Sequence, residues 1–286
     1  MTKLFEGIEN PQDPDLIYLL HSLEIISFIE SLWQKFEPYA DKNYRSDMQS
    51  HFHSRLWEMY LACSLIKQDM ILIPKLNNEG PDLRLNINGL TVSIEAIAPE
   101  NGVGSNAVPP VQGSDDQKFT QLPTNQIELR YCSAINEKFE KYKNYIDKQI
   151  ISNDEPYVIA INGSKVYPIV ENEIPLIVRT VLAIGDRVIT IVNKQIVDDR
   201  YKSQTTIYKF NGNSVNTDYF NDPEYFAISG ILFSNTNSLD HQTTIGTEFI
   251  FVRNKLAKNP LPNNWLNHGY EFWKVNDTLY KKSFDQ

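Results

Sequence analysis

An α/β fold follows from three features of the chain. Asn88-Gly89 separates two runs of alternating apolar residues, 82–87 and 90–97, the strongest short-range signal for a two-residue β-hairpin. Ile127, Tyr131, Ile135, Phe139, Tyr142 and Ile146 recur at spacings of four, four, four, three and four, which is helical periodicity. Residues 157–161 (YVIAI) are a short, wholly apolar run, as expected of a strand covered on both faces. Helix, hairpin strands, helix and strand in that order describe an α/β core.

Taken in order, residues 1–14 are polar and interrupted by proline, which predicts a loose arm, and 15–37 read as a helix with a broad apolar face. A polar stretch at 38–50 leads to a second helix over 51–68. The run MILIPKL at 70–76 predicts a strand, and Gly80-Pro81 breaks the chain before the hairpin. Residues 99–125 are rich in Pro, Gly, Ser, Asn and Gln and contain Lys118. They predict a long loop able to cover a neighbouring site. After the helix at 126–148 and the strand at 157–161, a helix is expected over 173–184, ended by Gly185. Strands are expected near 187–192, 205–210, 226–233 and 247–253, and Pro260-Leu261-Pro262 opens an irregular tail. The organisation predicted is an arm and helix (1–50) packed on one unit (51–286), with a core at 51–162 and a β-rich extension at 163–286.

A chain of 286 residues suits one or two domains and buries a core without staples. Its apolar runs stop far short of the roughly 18 residues of a membrane span, so no membrane partner is expected. No basic segment leads into an apolar one near Met1, where Glu6, Glu9, Asp13 and Asp15 follow quickly; the expectation is a cytoplasmic protein. Cys63 and Cys132 cannot form a disulfide framework and are expected as reduced core residues. The net charge of −9 counts against a protein that merely coats nucleic acid, because phosphate affinity comes from neutralising phosphates. It is compatible with an acidic site that borrows positive charge from metal ions. Scattered histidines, no Gly-rich phosphate loop with its lysine and no GxSxG elbow leave zinc, P-loop and serine-hydrolase chemistry without support.

The chemistry concentrates in the hairpin. With a two-residue loop at 88 and 89, opposed positions sum to 177. Ile87 then faces Leu90, Leu85 faces Val92 and Leu83 faces Ile94, an apolar face that must be buried. On the other face Asn86 meets Thr91, Arg84 meets Ser93 and Asp82 meets Glu95. Opposed Cβ atoms lie roughly 4.5–5.5 Å apart, so the two carboxylates repel unless one takes a proton or a cation bridges them. Hard oxygen donors so placed suit a divalent metal; the other reading is an exposed acidic pair beside Arg84. Glu58 begins an apolar stripe with Leu61, Ala62 and Leu65 and should face the sheet. There it needs a cation or a hydrogen bond, and Arg55, one turn earlier, is the alternative to a metal.

The helix with Glu58, the segment Gly80-Pro81-Asp82, the hairpin, Ile94-Glu95-Ala96 and the αβ continuation resemble the PD-(D/E)XK nucleases over roughly 51–162. The resemblance implies a restriction-endonuclease-like mixed central sheet flanked by helices. It implies that Asp82 and Glu95, supported by Glu58, bind Mg²⁺ (with Mn²⁺ able to substitute), and that the metal activates water against a phosphodiester of DNA, or of RNA. A part in bacterial defence or restriction, with homodimer assembly open, is the setting it suggests. The sequence departs from the pattern at the motif lysine, where Ile97 stands. On the helix at 126–148, Arg130, Ala134 and Lys138 share a stripe, so Lys138 is the expected replacement. Arg130, and more weakly Gln126, are candidates for substrate phosphate. If no cation reaches the acids, the chain is a catalytically inactive relative that binds or scaffolds.

Overall fold

The computed structural model describes residues 3–8, 11–75, 79–109, 122–166, 173–237 and 244–284. The N-terminal apolar pattern forms two helices, α1 (Pro14–Leu19) and α2 (Leu23–Phe36), rather than one over 15–37. The interruption has a local cause. Ser22 sits in extended backbone and its hydroxyl accepts the Ile25 N–H at 3.5 Å, so it caps a new helix instead of continuing the old one. A single turn, α3 (Tyr44–Asp47), precedes α4 (Phe52–Lys67). Among the described residues of the apolar run at 70–76 the strand is β1 (Ile71–Leu72), before β2 (Leu83–Ile87) and β3 (Leu90–Ile97).

The long helix α5 (Thr124–Asp147) carries the chain to β4 (Tyr157–Asn162), which is buried along its whole length. The helix expected over 173–184 shrinks to α6 (Leu176–Val181). Ala183 turns into the left-handed region (φ 54°), and Gly185 falls inside the next strand instead of capping the helix. The hairpin β5 (Ile184–Val192) and β6 (Gln195–Ser203) and the small pair β7 (Thr206–Tyr208) and β8 (Ser214–Asn216) stand apart from the main sheet. The chain then returns to that sheet as β9 (Ile228–Ser234), β10 (Ile250–Arg253), β11 (Tyr270–Val275) and β12 (Thr278–Ser283).

The result is a mixed central sheet, ordered β1-β2-β3-β4-β9-β10-β11-β12 among the described residues, with helices on both faces. β3, β4 and β9 run parallel, while β2 and β10 flank them antiparallel. Two cores follow from strand alternation. Leu85, Ile94, Val158, Ala160 and Leu232 join α1, α2 and α4 on one face. Ile159, Ile161, Ile231 and Phe233 join α5 and α6 on the other. Cys63 and Cys132 are buried and free, and burial pushes both thiols up to about 12, where neither is a ready nucleophile. No helix among the described residues is long and apolar enough to cross a membrane.

The segment after Pro262, expected as an irregular tail, contains the edge hairpin β11–β12. Its apolar alternation is diluted because β11 carries Glu271, buried against the Arg253 guanidinium. That guanidinium also donates to the carbonyls of Leu261 (2.8 Å) and Pro262 (3.1 Å), which ties the proline-rich stretch to β10. Gly230 lies in the centre of the sheet with the Phe251 ring where a Cβ would project. Gly230→Ala should therefore lower stability by about 1–3 kcal/mol through overpacking, read as a reduced urea midpoint without change of slope.

Candidate active site

The hairpin forms in the register its turn dictates, with Leu83 opposite Ile94, Leu85 opposite Val92 and Ile87 opposite Leu90. Asn88 (φ 53°) and Gly89 (φ 87°) both take positive φ, as the turn type matching the strand twist requires. Asp82 sits one residue before β2, and its Oδ2 accepts the backbone N–H of Ala96 at 2.8 Å. A carboxylate thus extends the ladder where the strand itself has ended, and this holds Asp82 beside Glu95.

Glu95 points from β3 toward α5 and is wholly buried. Three α5 side chains meet it. Lys138 Nζ lies 2.9 Å from Glu95 Oε2 and 3.6 Å from Asp82 Oδ2, Lys141 Nζ lies 3.4 Å from Oε2, and the Tyr145 hydroxyl lies 2.7 Å from Oε1. The same hydroxyl is 3.0 Å from the Gly80 carbonyl, so Tyr145 anchors the Gly80-Pro81-Asp82 turn as well. The Tyr157 hydroxyl donates to the Lys138 carbonyl at 2.9 Å, fixing the helix above the strand. Ile97 shares the Glu95 side of β3 and packs into the α5-side core; charge at this point comes from the helix instead.

Glu58 lies on the opposite side of the sheet, with α4. It is buried, and Arg55 (2.9 Å) and Lys75 (3.1 Å) both pair with it. Arg55 in turn engages Asp41 at 3.2 Å and also Asp47, so the Arg55 pairing is realised. Asp82, at the strand end, feels both groups of charges. The three acids do not form one compact triad: no cluster of three or more acidic, His or Cys side chains able to hold a metal occurs among the described residues. Asp82 and Glu95 remain two hard-oxygen donors around a shared cation position, here filled by the Lys138 ammonium. Mg²⁺ is commonly held by one or two carboxylates with water and substrate oxygens completing its shell, so these two acids could hold it only with the Lys138 ammonium displaced.

Electrostatics divides the acids. Burial alone would raise Asp82, but Lys138, Lys141, Lys75 and the Ala96 N–H hold its carboxyl below the usual range. Burial, and then the Asp82 charge, raise Glu95 and Glu58 against the pull of their cations. Lys138 is raised despite burial because Asp82 and Glu95 face it.

Arg84, the sequence-level alternative for the acidic pair, binds Glu155 at 2.7 Å instead. Arg130 packs its guanidinium against Gly102, in the segment after β3, where a Cβ would lie 2.5 Å from Nη1. It is not brought into the acid cluster; neither is Gln126, which lines a separate cleft with Glu128 and Gln204, about 18 Å of helix rise from Lys138. Residues 110–121, including Lys118, lie outside the described residues. Lys141 and Tyr145 were missed from sequence although they continue the Lys138 stripe at i+3 and i+7. Lys75 lies within the run 70–76 expected as a strand, and it is free to reach Glu58 because β1 ends at Leu72. Comparison with family models, curated proteins and solved structures returns no match for this chain.

Two pH responses of opposite sign meet here. Asp82, lowered in the fold, contributes stability above the ordinary carboxylate range that is lost as pH falls through its folded value. Glu95 and Glu58, raised in the fold, are stability-neutral at low pH and cost stability as pH rises past the ordinary range. Removing Lys138 worsens the second effect. Lys138→Met should cost about 3–5 kcal/mol near neutral pH, as expected when one member of a buried pair is lost. Part of that loss should be recovered on acidification into the ordinary carboxylate range, because Glu95, raised in the fold, takes a proton before that range is reached. Urea denaturation near neutral pH and in that range checks this.

Proposed function

We propose that the chain is a divalent-metal-dependent nuclease with a restriction-endonuclease-like core, hydrolysing phosphodiester bonds of DNA or of RNA. A place in bacterial defence or restriction suits that activity. The observation that carries the reading is the meeting of Asp82 and Glu95 around a single cation position at the end of the β2–β3 hairpin. Asp82 and Glu95 would hold Mg²⁺ or Mn²⁺. When bound, the ion supplies an activated water and offsets charge developing on the phosphoryl group.

The protein's own groups have separable tasks in this reading. Lys138, with a side-chain exposure of 6%, holds the cation position between the two carboxylates and would move aside from it when the metal binds. Lys141, 43% exposed, presents the cation that a substrate phosphate can meet. Tyr145 orients Glu95. Glu58, through Arg55 and Lys75, sets the field on the other side of Asp82. Arg130 lies further along α5, where a flanking phosphate of a bound strand would pass.

A second reading is favoured by a different observation. Ile97 replaces the motif lysine, and Arg55, Lys75, Lys138 and Lys141 already pair with the acids, as in a charge cluster kept for structure alone. On that reading the chain binds or scaffolds without chemistry.

Incubation with plasmid, single-stranded DNA and RNA under Mg²⁺ or Mn²⁺ separates the two. Cleavage is expected, and Asp82→Asn or Glu95→Gln should slow it at least about 100-fold, as the loss of several kcal/mol of charge stabilisation implies. Absence of cleavage, together with no Mn²⁺-dependent rise in Tm that requires Asp82 and Glu95, would establish the second reading.

A further inference from the structure

The β5–β6 hairpin is a two-stranded ribbon outside the main sheet, and such a ribbon is marginally stable in water when it stands alone. From Asp186 onward no residue of either strand is buried. Ile189 and Ile191 of β5 are 47% and 64% exposed, and Val192, Ile196 and Val197 are exposed as well. Apolar exposure concentrated on one projecting element marks an interaction surface.

The two edges of the ribbon differ. β6 carries Asp198, Asp199, Arg200 and Lys202, and its register passes from Thr190 opposite Asp198 to Ile191 opposite Ile196, which leaves Val197 bulged. Charges and bulges are the devices that keep an edge strand from pairing. β5 has neither from Val188 to Val192, and its outward backbone groups there make no hydrogen bond among the described residues. That run, Val188-Ile189-Thr190-Ile191-Val192, reads the same in both directions. Outward and inward backbone groups alternate along a strand, so two identical antiparallel strands must meet about a residue, not between two. An axis through Thr190 sets Val188 opposite the second copy's Val192, Ile189 opposite its Ile191 and Thr190 opposite its counterpart. An axis through Ile189 would set Arg187 against Ile191, and one through Ile191 would set Val188 against Lys194. The alignment on Thr190 also lays the tip of each hairpin along the base of the other. Lys194, in the turn with Asn193, then approaches the second copy's Asp186, which is 84% exposed and gives Oδ1 to Arg179 at 2.9 Å, leaving Oδ2 for the lysine.

We propose that two copies of this chain associate through their β5 edges, Thr190 facing Thr190, to form one four-stranded ribbon ordered β6-β5-β5-β6. Such a contact is isologous, each copy offering the same patch to the other. β-Branched residues directly opposed across strands stabilise the pairing, and four strands exceed the three that an independent sheet requires. One strand pair lies at the small end of specific interfaces, so the dimer is expected to be reversible, with a Kd on the order of 1–100 μM. The ribbon contains none of the acids around Lys138, and the proposal does not depend on the nuclease reading.

The test is sedimentation equilibrium of the full chain over about 1–300 μM, where a monomer–dimer equilibrium is expected. Ile191→Lys, at an exposed site, should weaken association at least about tenfold with an unchanged far-ultraviolet circular dichroism spectrum, and Val197→Lys on the bulged edge should leave association as it was. An introduced thiol reads the register, because Cys63 and Cys132 are buried. Opposed Cα atoms roughly 4.5–5.5 Å apart can be bridged, so Thr190→Cys should yield a disulfide-linked dimer under mild oxidation and Val197→Cys should not. A chain that sediments as a monomer throughout the range overturns the proposal and leaves the edge to a strand of another protein. Association indifferent to Ile191→Lys overturns it too, as does a Thr190→Cys variant that cross-links no faster than Val197→Cys.

Discussion

A buried ammonium between two carboxylates governs how this molecule is arranged. Lys138 lies almost out of solvent and 2.9 Å from a carboxylate that is wholly buried. Removing such charges from water is costly, and their mutual attraction compensates only when geometry is close and the remaining polar atoms are satisfied. Here Lys141, Tyr145 and the Ala96 N–H take up the surrounding hydrogen-bonding capacity. The cluster therefore specifies where α5 must lie on the sheet, as well as which groups face one another.

That constraint links the hairpin to the site. Side chains alternate along a strand, so a slip of one residue in β2–β3 would move Glu95 from α5 to the α4 face and bring Ile94 in its place. The turn at Asn88-Gly89 prevents the slip, and Asp82 closes the ladder with its own carboxylate. Asp82 is also where the two faces of the sheet communicate electrically. On one side are Glu58, Arg55 and Lys75; on the other are Glu95, Lys138 and Lys141. A change in charge on either face is felt at this one residue.

The remaining sheet carries a different chemistry. β9 to β12 extend the platform beyond β4, and their α5-facing side ends in aromatic rings rimmed by lysines.

Local rules carried much of this. Asn-Gly forces positive φ at two successive residues, so the hairpin register and the pairing of Asp82 with Glu95 could be counted from the turn, and helical spacing placed Lys138 on the stripe that overhangs them. The break at Ser22 was hidden because a cap competes with the helix through one hydrogen bond that apolar periodicity does not record. β11 and β12 were hidden because Glu271 interrupts the alternation and is tolerable there only beside Arg253, a residue distant in sequence. The same distinction holds at the site. The hairpin, its buried face and the neighbourhood of two acids are readable from the residues alone, because those depend on backbone geometry within a few residues. That Glu58 belongs to Arg55 and Lys75 on the far face, and that Lys141 and Tyr145 complete the surroundings of Glu95, emerges with the packed fold, because charge compensation depends on which elements meet in space.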